Sequence, residues 1–187
     1  IKACAKQGGS GIKFHPQAQK VHPNDHRLWP MYETCQEIDF PILSDSGLSA
    51  GAKKQWGEPH YWDDVLKAFP RLRLVLAHLG RACYDQTRKL AKDHPKVCFD
   101  IADIIDPHTH EEYHLSDADM AALIREVGAE RVVFGSDFPW FEPAVAVEHD
   151  DVRHDAARSD KGLGHIKSQV AAAGIAEENV RALGLDF

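Results

Sequence analysis

The chain has 187 residues, 43% of them hydrophobic and 27% charged, a balance that supports a packed core and excludes a disordered chain. Its net charge of −7 comes from interspersed acids and bases with no basic tract, which excludes nucleic acid and anionic membrane as expected partners. No apolar run approaches the ~20 residues that span a bilayer, and the four cysteines (Cys4, Cys35, Cys83, Cys98) form no C-x-x-C pair, so they read as reduced thiols of a cytoplasmic protein.

Taken in order, Ile1 to Gln7 reads as the end of a helix closed by Gly8-Gly9. Gly11-Ile-Lys-Phe-His15 predicts a short strand halted by Pro16, with Lys13 and His15 two apart and therefore on one face. A helix is expected from Asn24 or Asp25 to about Ile38, with Leu28, Met31, Tyr32 and Cys35 at helical spacing. Pro41 to Gly47 predicts the next strand, ending in Asp45. Pro59 suits a first helical turn, and Tyr61, Trp62, Val65, Leu66 and Phe69 line that helix until Pro70.

Arg73-Leu-Val-Leu-Ala-His78-Leu-Gly80 repeats the pattern of an apolar strand, a polar residue and a glycine, and a helix follows to about Asp93. Val97 to Asp103 predicts a fourth strand with acids toward its end. Ser116-x-x-Asp119 resembles a capping box and opens a helix through Val127, closed by Gly128. Val132-Val-Phe134 is a fifth strand, suited to cover on both faces. Asp137 lies just past it, and Pro139 keeps the exit extended. Beyond Trp140, helices are expected at 144–149, 166–173 and 177–183, with a charged loop between the first two.

Strand and helix alternate with spacing suited to parallel crossovers, so the fold class is α/β, and a single domain covers residues 1–187. Asp45, His78 and Asp137 each stand at the carboxyl end of a predicted parallel strand, which brings them to one face. Carboxylate and imidazole together suit zinc, manganese or iron. A divalent ion with an open position lowers the pKa of bound water and polarises a carbonyl. The alternative is that the two aspartates cap loops and His78 is a satisfied core histidine. Lys13 with His15 suits an anionic substrate at the same mouth.

Four strings carry a resemblance. Gly11 to Pro16, Pro41 to Gly47, Ala68 to Gly80 and Gly128 to Pro139 look like the amidohydrolase superfamily, most of all its amidohydrolase-related (amidohydrolase 2) branch. That branch contains hydrolases, lactonases and metal-dependent decarboxylases. The resemblance implies a TIM (β/α)₈-type barrel, partial here, with strands four to eight present. It implies that Asp137 is a metal ligand, that His78 is catalytic or a second-metal ligand, and that Asp45 stands where the branch normally has a ligand His. It further implies a divalent metal ion, Zn or Mn, and a small-molecule substrate. The branch's first-strand His-x-His is absent, so the missing strands belong upstream or come from another chain; a homo-oligomer is the alternative expectation for a partner. His108-Thr-His110 mimics that motif but falls in the wrong place, after the fourth strand with His114, and reads as a solvated loop. The expected activity is hydrolysis of an amide, ester or lactone. Non-oxidative decarboxylation and a non-catalytic role are the alternatives.

Overall fold

The computed structural model describes residues 1–104 and 109–141. The three helices expected after residue 141, and His108, lie outside the described residues. Five strands, β1 (Ile12–Phe14), β2 (Ile42–Ser44), β3 (Leu74–Leu76), β4 (Cys98–Asp100) and β5 (Val132–Val133), form one parallel sheet in the order β1-β2-β3-β4-β5. Every strand lies beside its neighbour in sequence, with no reversal of order. An open doubly wound sheet reverses at a switch point and a barrel wall does not, so the sheet is part of a barrel wall.

The helices are α1 (Lys2–Lys6), α2 (Pro16–Gln19), α3 (Trp29–Glu37), α4 (Trp62–Ala68), α5 (Tyr84–Asp93) and α6 (Asp117–Val127). Their ends follow local chemistry. Asp25 accepts the Arg27 N–H at 2.9 Å and starts a 3₁₀ turn, His26–Leu28, that leads into α3, so the expected helix opens with a tighter turn. Ser116 caps α6 by accepting the Asp119 N–H at 3.1 Å, while its hydroxyl donates to the Asp119 carboxylate at 2.6 Å. Gly128, at φ 97°, ends that helix. Among the described residues, no helix is long and apolar enough to cross a membrane.

The two faces of the sheet differ. Phe14, Ile42, Ser44, Leu74, Leu76, Phe99 and Val132 point to the buried side, where the helices cover them. Trp62 of α4 is fully buried there, edge-on to Phe14 with ring centroids 6.1 Å apart, and Tyr32 of α3 packs on it at 5.6 Å. Burying each such ring stabilises the fold by roughly 2–3 kcal/mol. On the opposite face Lys13, Leu43, Val75 and Cys98 stand in register across four strands and line a cleft of about 670 Å³. Asp100 and Val133 continue that row on β4 and β5. This face corresponds to a barrel interior.

Candidate active site

Three strand exits converge. β2 runs directly into Asp45, whose N–H donates to the Phe14 carbonyl at 2.8 Å and so extends the ladder by one residue. β3 runs into a tight turn, Ala77–Gly80, in which His78 (φ 63°) and Leu79 (φ 46°) both adopt left-handed backbone. Such a conformation costs a non-glycine residue about 1 kcal/mol or more and needs outside support. The support comes from β4, where Asp100 Oδ1 accepts the His78 N–H at 2.8 Å. Thr87 of α5 adds its hydroxyl to the Leu79 carbonyl at 2.8 Å.

The result is a buried charged cluster. His78 Nε2 lies 3.0 Å from Asp45 Oδ2, and His78 Nδ1 donates to the Ala102 carbonyl at 3.0 Å. Asp45 Oδ1 faces Arg81 Nη2 at 3.5 Å and His15 Nδ1 at 3.7 Å, yet it is buried without a hydrogen-bond partner. Arg81 in turn donates to Asp103 at 2.9 Å and to the Leu48 carbonyl at 2.8 Å, and it stacks over the Tyr113 ring at 5.1 Å. Thr109 donates to the other oxygen of Asp103 at 2.7 Å.

The charge states follow from these contacts. Burial by itself would raise the Asp45 carboxyl, but the His78 bond and the Arg81, His78 and His15 charges outweigh it and hold Asp45 below the usual carboxylate value. Burial likewise opposes a charged His78, but the Asp45 bond and the Asp100 and Asp45 carboxylates raise its pKa above the ordinary imidazole value. The two shifts run in opposite directions, each favouring the charged form of its own group: His78 toward imidazolium and Asp45 toward carboxylate. Asp100 moves the other way: burial pushes it up, only partly offset by the His78 charge and N–H, by Lys13 and by the Ala102 N–H.

The sequence-predicted residues divide into groups. His15 joins Asp45 and His78, because Pro16 ends β1 after Phe14 and leaves His15 as the cap of α2. Lys13 lines the interior cleft with Asp100 instead of sharing the mouth with His15. Asp137 follows β5, half-buried, with φ 62°. The expected metal set of Asp45, His78 and Asp137 is not gathered. Among the described residues no three His, Cys, Asp or Glu side chains form a group that could hold a metal ion. The physical reason is that Asp45 spends one oxygen on His78 and sits between protein cations. Oδ1, which has charged neighbours but no hydrogen bond, is nonetheless a buried acceptor of the kind a hard cation takes, so Asp45 fits as one ligand. His110 is exposed beside Glu112, in line with a solvated loop. Sequence reasoning noted the acids at the end of β4 without giving them a role, and it missed Arg81 and Thr109. A charged residue three positions after a strand-end histidine was the available signal for Arg81, and Thr109 had none.

The family model described as Amidohydrolase (Amidohydro_2) matches residues 1–183. Among solved structures, the chain is similar to an uncharacterised TIM-barrel protein from Bordetella bronchiseptica, with TM-score 0.69 and 21% identity over 92% of this chain and 61% of that one. It is also similar to a dihydroxybenzoic acid decarboxylase from Polaromonas sp. JS666, solved with bound manganese and the inhibitor 2-nitroresorcinol (TM-score 0.58, 13% identity, 88% and 59% covered). A third is an amidohydrolase from Burkholderia multivorans with bound zinc (TM-score 0.54, 15% identity, 87% and 59% covered). The chain thus spans about 60% of the length of these structures. At these identities the likeness is one of fold, and it identifies the sheet as part of a TIM barrel. No curated protein matches the chain.

Proposed function

The chain belongs to the amidohydrolase family, and from that premise we propose that it serves a metal-dependent hydrolase acting on a small carbonyl or carboxylate substrate, an amide, ester or lactone. The observation that carries this reading is the buried Asp45–His78 ion pair at adjacent strand exits, with Asp45 Oδ1 left unsatisfied. Asp45, through Oδ1, is the residue whose geometry would suit a zinc or manganese ion, and Asp137, at the exit of β5, is the further ligand that the family resemblance implies, although the described residues do not gather the two. Such an ion, when bound, supplies a water acidic enough to ionise near neutral pH and a Lewis acid for the substrate carbonyl.

The chain's own groups have distinct tasks. His78 carries a proton on Nε2 and delivers it to the leaving group or to the developing oxyanion. Asp137 accepts the proton that the attacking water loses. His15, beside Asp45, attracts the negative end of the substrate, Lys13 adds positive charge from the interior cleft, and Arg81 keeps Asp45 ionised. Burial of the pair excludes bulk water and strengthens each of these interactions.

Non-oxidative decarboxylation on the same scaffold is the second reading. It is favoured by Lys13 and His15, two basic groups suited to a substrate carboxylate, and by the likeness to a manganese-containing decarboxylase. Metal content by mass spectrometry on the purified protein, beside Asp45→Asn and Asp137→Asn, is the test. About one tightly held ion per chain is expected, lost in both variants. Absence of metal together with absence of turnover would overturn both catalytic readings in favour of a non-catalytic homologue. Incorporation of ¹⁸O from labelled water marks hydrolysis, and CO₂ release without it marks decarboxylation.

A further inference from the structure

The catalytic reading leaves one buried acid without a task. Asp100 lies on the interior row of the sheet, 7% exposed, where an apolar side chain would pack at no electrostatic cost. Its contacts form a closed circuit. Oδ1 accepts the backbone N–H of His78 at 2.8 Å and the N–H of Ala102 at 3.1 Å. The carbonyl of that same Ala102 accepts Nδ1–H of the His78 ring at 3.0 Å. One carboxylate oxygen therefore fixes both the peptide that carries the ring and the residue that receives the ring's proton.

We propose that Asp100 is a positioning residue, which holds His78 in its left-handed turn and keeps the proton on Nδ1 so that Nε2 faces Asp45. The inference rests on reading His78 as the acid/base group. A carbonyl only accepts, so an Nδ1 held against Ala102 must be protonated and the working proton resides on Nε2. Gly135 of the β5 exit packs beside this circuit: a methyl group added there would come within 3.2 Å of the Ala102 side chain, close enough to press on the residue that receives the ring. Without the carboxylate, the His78 and Ala102 N–H groups lose their shared acceptor, and the left-handed turn keeps only the Thr87 bond to the Leu79 carbonyl and the Arg81 N–H bond to the His78 carbonyl.

The experiment is ¹⁵N NMR of the His78 ring nitrogens in the whole chain, comparing wild type with Asp100→Asn and Asp100→Ala. The asparagine keeps an oxygen that can accept both N–H groups, so Asp100→Asn should retain the wild-type Nδ1 signal. In Asp100→Ala that signal should move toward a mixture of protonated and unprotonated nitrogen. A folded Asp100→Ala protein with the wild-type ring signal overturns the proposal. Should Asp100→Ala fail to fold, amide exchange on the unaltered chain decides the matter. The His78 and Ala102 amides should exchange at least about 100-fold more slowly than exposed loop amides, and exchange at loop rates overturns the proposal. Where turnover is measurable, Asp100→Ala should lower kcat about 10- to 100-fold with little change in KM, whereas a change in KM alone counts against positioning. A protein without turnover refutes the catalytic reading and leaves the NMR result to stand by itself.

Discussion

Asp45 Oδ2 and His78 Nε2, 3.0 Å apart, join the exits of two adjacent strands through side chains that are 5% and 2% exposed. A pair so enclosed is weak evidence of net stabilisation, but removing one member is costly, because it leaves buried charge without a partner.

Asp45→Ala should therefore lower unfolding stability by about 3 kcal/mol. It leaves His78 without its hydrogen-bonded anion and Arg81 with Asp103 as its remaining carboxylate partner in the cluster. Urea denaturation reads this directly, and a midpoint equal to that of the wild type would show that the pair is solvated.

Gly47 has φ 96°, and a Cβ placed there would lie 2.3 Å from the Arg81 carbonyl oxygen and 2.5 Å from that of Gly80. Both neighbours are backbone, so neither yields cheaply. Gly47→Ala should cost roughly 2–4 kcal/mol and displace Arg81 from Asp45. Thermal unfolding checks the first effect, and a change of less than about 2 °C would contradict it.

Much of this arrangement was legible in the sequence. All five strands were marked by short apolar runs ending in a polar residue or glycine, and the expected α6 boundaries at Ser116 and Gly128 match the structure. Those signals are local: a cap, a turn, an apolar run. Asp45 and His78 were readable as strand ends for the same reason. The partnership of Arg81 with Asp103 was not, because a side chain that crosses between two loops leaves no periodic trace. Lys13 and His15 also show the limit. Alternation placed them on one face, but Pro16 cut the strand before His15, so alternation no longer applied there.

Thiol reactivity should separate the cysteines. Burial, with the Glu58 charge adding to it, pushes the Cys83 thiol up to about 11, whereas Cys4 is exposed. At pH 8 the thiolate fraction at Cys83 is on the order of 10⁻³, so iodoacetamide should label Cys4 at least about 100-fold faster. Peptide mass spectrometry follows both sites, and comparable rates would mean that the loop carrying Cys83 opens readily.

Asp63 on α4 takes Lys67 at 2.7 Å and His94 at 2.9 Å. The Lys67 bond first, and then the His94 bond, hold its carboxyl below the ordinary value. A depressed carboxylate contributes stability above its unfolded pKa of ~3.9 and loses it as pH falls through the lower folded value. The difference in urea midpoint between wild type and Asp63→Asn should thus be steady between about pH 5 and 6 and close below about pH 4. A difference that widens on acidification would contradict the assignment.

One guanidinium has a mechanical consequence. Arg81 is fastened to the Leu48 carbonyl after β2, to Asp103 after β4 and against Tyr113 further on, while itself belonging to the segment after β3. Three loops at the mouth therefore share a single rivet and cannot open one at a time. Any excursion wide enough to admit a ligand from that side has to carry all three together, or the ligand must enter past His15, where Arg81 makes no fastening.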